Sequence, residues 1–340
     1  MKKLILSMAM LCATSMLFAQ TQFFTGNPFY YNQVNQWATG VSTQSAPDEA
    51  GCVDCSVPQI QRLTYISYDN ENNSIINQTG DNNDANVFQV GAQNYSMINQ
   101  KGNDGYLGLG GTFNDAQVYQ SGDQNYSDVK QDGDFNDSDV IQSGNRNFVM
   151  QDVGIGWAEH NVTYTRQMGD DNASYQKQRG DGNTAMVEQL TNNNEATQIQ
   201  NSTDSHSAGT GNEASIWQYG GDDNKAKQVQ TGTHNYGFAE QNGTGNTSLS
   251  TQVGYSNVGD GFASNYSSTL QIGNENLACV DQKAGPMGAN LSAIYQLGNN
   301  NKAGVSQNTD ASGWGNISYI SQYGNMNNAS VMQTNGTSPF

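Results

Sequence analysis

The chain has 340 residues, of which 35% are hydrophobic and 13% are charged, and it contains 38 glycines but only 5 prolines. Asn and Gln contribute 44 and 34 residues, nearly a quarter of the chain. Such a composition excludes the large apolar core of an ordinary enzyme and, without further order, is typical of disordered or prion-like segments. The formal net charge of −18 argues against binding to nucleic acid or anionic lipid.

The N-terminus predicts a secretory signal in residues 1–19. Lys2 and Lys3 precede an apolar run from Leu4 to Phe18, and Ala19 stands before Gln20. This order of charged, apolar and small-residue regions is typical of an export signal. No second apolar run of about 20 residues follows, so we expect no transmembrane segment. We therefore expect a secreted protein that is exported through the periplasm.

Residues 20–66 form a leader that lacks the repeat of the later chain. It is rich in aromatic residues and contains Phe23, Phe24, Phe29, Tyr30, Tyr31 and Trp37. Because no apolar periodicity accompanies these aromatics, we expect a flexible segment.

Three cysteines remain after the expected signal: Cys52, Cys55 and Cys279. The first two have the two-residue spacing shared by redox and zinc sites, but no second Cys/His pair completes a tetrahedral set. A local disulfide and inert thiols are both left open, and we predict no metal site and no cofactor.

An 11-residue repeat dominates residues 67–334, and a short tail of residues 335–340 follows. Each unit contains an Asn and, six residues later, a Gln, and we count 21 units, including an irregular one near Gln151. We predict that these amides form a structural ladder, of which the clearest members are Asn72, Gln78, Asn83, Gln89, Asn94, Gln100, Asn125, Gln131, Asn136, Gln142, Asn172, Gln178, Asn183, Gln189, Asn235, Gln241, Asn301, Gln307, Asn327 and Gln333.

Each unit reads as a seven-residue strand followed by a turn. The second residue after the Asn is small and the fourth is often aliphatic, as at Ala85 and Val87. Alternation with period two places these residues on the same face as the Asn and Gln. Gly commonly stands two residues after the Gln, as at Gly91, where it ends the strand. The fourth position is polar at several units, namely Gln176, Gln198 and Gln228.

The insertions between units indicate how the units stack. Longer gaps precede Asn114, Asn161, Asn212, Asn265, Asn290 and Asn316, which open units 4, 8, 12, 16, 18 and 20. Because all six are even, one edge of the stack carries the loops and the other carries tight turns. We therefore predict an all-β fold, a two-sheet β-solenoid of about ten 22-residue coils with cross-β, amyloid-like stacking.

The unit from Gln78 to Gln89, with Gly80, Asn83 and Ala85 between, resembles the curlin repeat of curli fibre subunits. The resemblance implies an extracellular functional amyloid of the biofilm matrix, with roles in adhesion and surface colonisation. It also implies export through an outer-membrane secretion pore, for which the leader would be a recognition segment, and templating by a nucleator subunit. The final unit keeps its ladder residues and lacks a basic tail, which is more like the major subunit.

The open ends of such a stack predict self-association. Neither end shows a proline barrier or a basic cap, so unpaired strands at both ends would join molecules head to tail. The protein would then be a homopolymer subunit. The alternative is a monomeric or surface-attached solenoid adhesin that binds a surface or glycan through edge-loop aromatics, namely Tyr106, Trp157, Phe262 and Trp314.

An enzymatic function finds no support in the sequence. The three histidines, His160, His206 and His234, are scattered, and no catalytic triad order stands out. We predict no catalytic residues. The acidic residues of units 5 and 6 (Asp123, Asp128, Asp132, Asp134, Asp137 and Asp139) are interpreted as a solvated face or as gatekeepers during export.

Overall fold

The structure is a computed structural model that describes residues 59–60, 71–102, 113–154, 158–202, 211–254, 265–285, 288–309 and 315–335. Its strands in chain order are β1 (Asn73–Thr79), β2 (Asp84–Val90), β3 (Tyr95–Lys101), β4 (Asp115–Ser121), β5 (Tyr126–Asp132), β6 (Asp137–Ser143), β7 (Phe148–Val153), β8 (Val162–Met168), β9 (Ala173–Arg179), β10 (Thr184–Gln189), β11 (Glu195–Asn201), β12 (Glu213–Tyr219), β13 (Lys225–Thr231), β14 (Tyr236–Asn242), β15 (Thr247–Val253), β16 (Tyr266–Ile272), β17 (Leu277–Lys283), β18 (Leu291–Leu297), β19 (Lys302–Thr309), β20 (Ile317–Tyr323) and β21 (Asn328–Asn335).

These strands form two parallel sheets between which the chain alternates. The odd-numbered strands make an 11-stranded sheet and the even-numbered strands a 10-stranded sheet, each in chain order. The predicted two-sheet β-solenoid is therefore confirmed. The predicted 22-residue coil holds only where no loop is inserted. Gln78 and Gln333, which stand at the same position ten coils apart, are separated by 255 residues, so the average coil has about 25.

The register within each sheet is exact from coil to coil. In the even-numbered sheet, for example, Gln120 pairs with Gln89 on one side and with Gln142 on the other. Alternation along each strand keeps Asn, the small residue, the aliphatic and Gln on the buried face, as the sequence predicts. Identical side chains consequently stack one above another along the solenoid axis.

The turns repeat as faithfully as the strands. Gly91 has a φ of 109°, and a Cβ on it would lie 2.1 Å from the carbonyl oxygen of Gly122 in the next coil. Only glycine fits this close approach. The residue before the ladder Asn is also left-handed, as at Gln93 (φ 60°) and Gln124 (φ 61°), a feature that the sequence pattern did not reveal. The backbone N–H of Gln124 donates to Ala92 O at 3.0 Å, so the turns also stack.

The unit near Gln151 is regular in the structure, and the sequence assignment of its Gln was wrong. Gln151 pairs with Val129 and therefore occupies the fourth position of its strand. Val153 pairs with Gln131 and takes the place of the ladder Gln, while Asn147 opens the unit at the normal spacing. The period of 11 residues is thus kept, and the unit differs from its neighbours in having Val153 at the position of the ladder Gln.

The aliphatic core is confined to the two ends and part of the middle of the solenoid. One cluster gathers around Ile98 and Val129, a second around Val280 and Ile294, and a smaller third around Val187 and Ile216. Polar side chains fill much of the remaining interior. Within the described part of the chain, no helical segment combines the length and apolarity that a membrane crossing requires.

Candidate functional site

The ladder Gln side chains join successive coils through their amides. Gln89 Nε2 donates to Gln120 Oε1 at 2.8 Å, and Gln120 Nε2 donates to Gln142 Oε1 at 2.8 Å. The same Nε2 also reaches across the core, since that of Gln89 donates to Asn73 O at 3.1 Å. Each ladder Gln therefore binds its own sheet and the opposite sheet at once.

The ladder Asn side chains form a second set of columns whose hydrogen bonds run the other way. Asn94 Nδ2 donates to Asn72 Oδ1 at 3.1 Å, and Asn125 Nδ2 donates to Asn94 Oδ1 at 3.0 Å. Asn94 Nδ2 also donates to Gly122 O at 2.7 Å, which ties the strand to the turn of the next coil. The Gln amides donate toward the C-terminal end and the Asn amides toward the N-terminal end, so the solenoid has a defined polarity.

All twenty residues predicted as ladder members stand in these columns. Those of the odd-numbered strands are Asn72, Gln78, Asn94, Gln100, Asn125, Gln131, Asn172, Gln178, Asn301, Gln307, Asn327 and Gln333, and those of the even-numbered strands are Asn83, Gln89, Asn136, Gln142, Asn183, Gln189, Asn235 and Gln241. Among the described strands, only the Gln column of the odd-numbered sheet is interrupted, at Val153. There the Oε1 atom of Gln178 is buried without a hydrogen-bond donor among the described residues.

A further amide column lies at the fourth strand position, which the sequence marked only as irregular. Gln151 Nε2 donates to Gln176 Oε1 at 2.9 Å, and the column continues through Gln198 to Gln228. Thr165 Oγ1, from the facing sheet, also donates to Gln176 Oε1 at 2.8 Å. The signal that could have revealed this column is the spacing of its members, which matches that of the ladder.

The outer faces carry stacked rings rather than isolated aromatics. Tyr95, Tyr126 and Phe148 stack on successive odd-numbered strands with centroids 5.2 and 5.1 Å apart. On the even-numbered sheet, Phe88 and Tyr119 stack at 5.3 Å. In-register strands thus repeat the outward side chains as well as the inward ones.

The acidic residues do not all form a solvated face. Asp128 and Asp134 are only 4% and 8% exposed, which corrects the interpretation of the cluster as fully solvated. On the even-numbered sheet, Asp84, Asp115 and Asp137 stand directly beside one another at the first position of β2, β4 and β6.

Burial and neighbouring negative charges raise the pKa values of Asp115, Asp137 and the nearby Asp139. Burial raises the pKa of Asp115 and of Asp137, and their negative neighbours Asp84 and Asp115, respectively, raise them further. Burial, together with the charges of Asp137 and Asp115, raises the pKa of Asp139 to about 7. We therefore expect the stability of the N-terminal coils to depend on pH near neutrality.

The two ends of the solenoid are open and chemically complementary. β1 and β2, and likewise β20 and β21, have a strand neighbour on one side only. Within the described ranges, Oε1 of Gln78 and of Gln89 receives no donor. At the other end, Nε2 of Gln322 and of Gln333 donates across the core to Lys302 O (2.8 Å) and Ile317 O (2.9 Å) and has no Gln acceptor beyond it among the described residues. The Oδ1 atoms of Asn316 and Asn327 likewise receive no donor from described residues. One end thus offers Gln acceptors where the other offers Gln donors.

Other sequence-predicted features fall partly outside the described residues. The loop aromatics Tyr106, Trp157, Phe262 and Trp314, as well as Cys52, Cys55, His206, residues 1–19 and nearly all of residues 20–66, lie there. Cys279 is buried and disulfide-bonded to a partner that is not described, so it is not an inert free thiol. Among the described residues, no group of three or more His, Cys, Asp or Glu is placed to hold a metal ion.

The model of the curlin associated repeat matches residues 80–109 and 111–148. Two segments of the chain are thus similar to the curlin associated repeat. The matched segments contain strands β2 to β6, and the in-register pairing carries the same arrangement to β21. Curlin repeats are structural and typically non-enzymatic, and this match does not separate a major from a minor subunit. No curated protein matched the chain.

Proposed function

We propose that this protein is a structural subunit of an extracellular, curli-like amyloid fibre that polymerises head to tail through the open ends of its solenoid. The observation that carries the proposal is the pair of complementary ends. Unpaired strand edges are normally suppressed in soluble proteins because they template association. Here the amide columns at each end match the columns of the opposite end, so a second copy fits as a continuation of the solenoid.

The curlin repeat supports the wider setting of this proposal. We place the fibre in a biofilm matrix, where it serves adhesion and colonisation. The leader would address the chain to an outer-membrane secretion pore, and a nucleator subunit would start the fibre. We assign the chain to the role of major subunit because its unit from Gln322 to Gln333 keeps the ladder amides.

Exposed isoleucines in β1 allow a direct test of assembly through the ends. Ile76 faces the core side of the terminal layer and is 42% exposed because no further coil covers it, whereas Ile75 faces outward and is 39% exposed. In a monomer, lysine at residue 76 reaches water through the open end. In a fibre it would be buried between layers without a charged partner, which is costly.

We therefore expect Ile76→Lys to slow seeded fibre elongation by about tenfold or more, because burial of the unpaired ammonium opposes each addition. The matched control, Val162→Lys, adds the same charge on the outer face of the inner strand β8, at a residue that is 39% exposed, and should elongate nearly as fast as the wild type. Elongation is measured by light scattering with electron microscopy of the products. Equal rates for both variants would exclude assembly through this end.

A further inference from the structure

The number of strands determines how one molecule can continue into the next. The described chain has 21 strands that alternate between two sheets, so β21 lies in the same sheet as β1. A strand placed next along the solenoid path after β21 would lie on the sheet of β20. An incoming molecule can continue the path without a gap only if its β1 takes that place.

We infer that successive molecules in the fibre are rotated by about half a turn around the fibre axis, so that β1 of the incoming molecule pairs with β20 and its β2 pairs with β21. This inference rests on the proposed head-to-tail polymerisation. An unrotated molecule would pair its β1 with β21 instead. Its β2 would then lie two layers beyond β20, leaving one strand position vacant in the even-numbered sheet.

The amide columns favour the rotated junction because it satisfies all of the open ladder groups. Gln322 and Gln333 would donate to Gln78 and Gln89 of the incoming molecule. Its Asn residues 72 and 83 would in turn donate to the Oδ1 atoms of residues 316 and 327. The unrotated junction matches only the columns of β21 and leaves those of β20 beside a gap, where buried amides without partners cost free energy.

The cross-core hydrogen bonds continue in the same way. Along the solenoid a ladder Gln donates to the carbonyl at the first position of the preceding strand, as Gln89 does to Asn73 O (3.1 Å) and Gln333 to Ile317 O (2.9 Å). In the rotated junction the strand that precedes the incoming β1 is β21. The incoming Gln78 then faces the carbonyl of Asn328, and the pattern has no interruption.

Exposed apolar side chains on the outer faces also match only after rotation. In the rotated register, Ile75 lies beside Tyr319, which is 54% exposed, and Phe88 (58%) lies beside Met332 (74%). Burial of these four side chains against each other is favourable, and a methionine beside an aromatic ring adds to it. The unrotated register would instead place Ile75 beside the hydroxyl of Ser330 and leave Phe88 without a neighbour.

The rotated junction has visible consequences for the fibre. Twenty-one strands shared between two sheets amount to about ten and a half layers, so each subunit adds about 50 Å at ~4.8 Å per layer. The long loops, which all leave one edge of a molecule, would emerge from opposite edges in successive molecules. Two molecules make one structural repeat.

The junction is tested by photo-cross-linking in fibres of the full chain with its native cysteines. Asn77 faces outward in the exposed strand β1, and we replace it with p-benzoylphenylalanine. After irradiation, mass spectrometry identifies the strand reached in the neighbouring molecule. Residues at the same position are Ser321 in β20 and Met332 in β21, whose outer faces lie on opposite sides of the solenoid. Because the sheets alone are ~10 Å apart, we expect links to β20 to exceed those to β21 by about tenfold.

Helical reconstruction from electron cryomicroscopy of the same fibres provides the second measurement. A rotation near half a turn per subunit, with cross-links mainly to β20, supports the inference. A rotation set only by sheet twist, with cross-links mainly to β21 or to any other strand, overturns it. Fibres with that second result would leave head-to-tail assembly intact. A failure to form fibres at all would instead contradict the proposed function, so the two failures are distinguishable.

Discussion

At the scale of single residues, the interior amides stabilise the fold because their partners are supplied by the next coil. A buried amide without a partner costs about 1–3 kcal/mol, while a satisfied one contributes modestly. Gln189 illustrates the arrangement: it accepts from Gln167 at 2.9 Å, donates to Gln218 at 2.8 Å, and donates to Ala173 O at 3.1 Å. The repeat thus turns an otherwise unfavourable composition into an ordered core.

Replacement of Gln189 by Ala should lower the free energy of unfolding by about 2–4 kcal/mol, because it leaves the buried amides of Gln167 and Gln218 without their partners. Gln124→Ala is the matched control, since Gln124 belongs to an exposed pair with Gln93 on the surface. Denaturant unfolding followed by circular dichroism measures both. Equal losses for the two variants would contradict the role of the buried column.

At the small inward-facing residue, two positions after the ladder Asn, we expect a substitution that stabilises the fold. The hydroxyl of Ser127 is buried without a hydrogen-bond partner within the described structure, whereas Ala116 fills the equivalent position of β4. We expect Ser127→Ala to raise the free energy of unfolding by about 1 kcal/mol, and the reciprocal change Ala116→Ser to lower it. Thermal and denaturant unfolding provide the check, and a destabilised Ser127→Ala protein would show that the hydroxyl has a partner in solution.

At the scale of strands, β7 contains the one interruption in the Gln columns. Every other described strand places a Gln where β7 has Val153, so the coil already has room for that side chain. We expect Val153→Gln to raise the free energy of unfolding by about 1 kcal/mol, because the new amide donates to Oε1 of Gln178 and accepts from Gln131. Val153→Leu, which enlarges the side chain without an amide, should not stabilise. A destabilised Gln variant would indicate that the valine is needed for packing.

The acidic column on β2, β4 and β6 predicts a pH dependence of stability. The folded-state pKa of Asp139 is raised from 3.8 to about 7, so between these values the folded state binds the proton more tightly than the unfolded state. Stability should therefore rise as the pH falls through about 7, level off below about pH 4, and change little above pH 7 through this group.

Asp139→Asn should remove part of this dependence and raise stability at neutral pH, since the amide carries no charge to desolvate. Asp81→Asn serves as the control, because Asp81 lies in the exposed turn between β1 and β2, and this variant should retain the wild-type dependence of stability on pH. Unfolding midpoints measured between about pH 4 and 8 compare the two. An unchanged slope in the Asp139 variant would assign the dependence to other groups.

The strands and their inward faces were predictable because period-two alternation and the 11-residue recurrence act together. The parity of the insertions also predicted which edge carries the loops. Sequence could not assign Gln151, because counting from Gln to Gln ignores the register that Asn147 fixes. The stacking of Gln176 on Gln198 was within reach of the sequence, because both occupy the fourth position of successive odd-numbered units, but the hydrogen bond from Thr165 of the facing sheet to Gln176 was not, since it depends on how the two sheets pack.

At the scale of the whole molecule, the solenoid has a direction along its axis, and its two ends differ. The Gln and Asn columns run in opposite directions, and this arrangement gives each end groups that only the other end complements. Head-to-head contact would place Gln acceptors against Gln acceptors. Growth should therefore be directional, and seeds should elongate by the same junction along the entire fibre.

In the proposed fibre, the amide-laddered solenoid continues between molecules as cross-β structure. Fibre diffraction tests this continuation, on protein that lacks residues 1–19, has been diluted from denaturant and is aligned after assembly. We expect a lag, then fibres with a meridional reflection at about 4.7 Å and an equatorial spacing near 10 Å. A protein that stays monomeric, or fibres that lack the 4.7 Å meridional reflection, would contradict it.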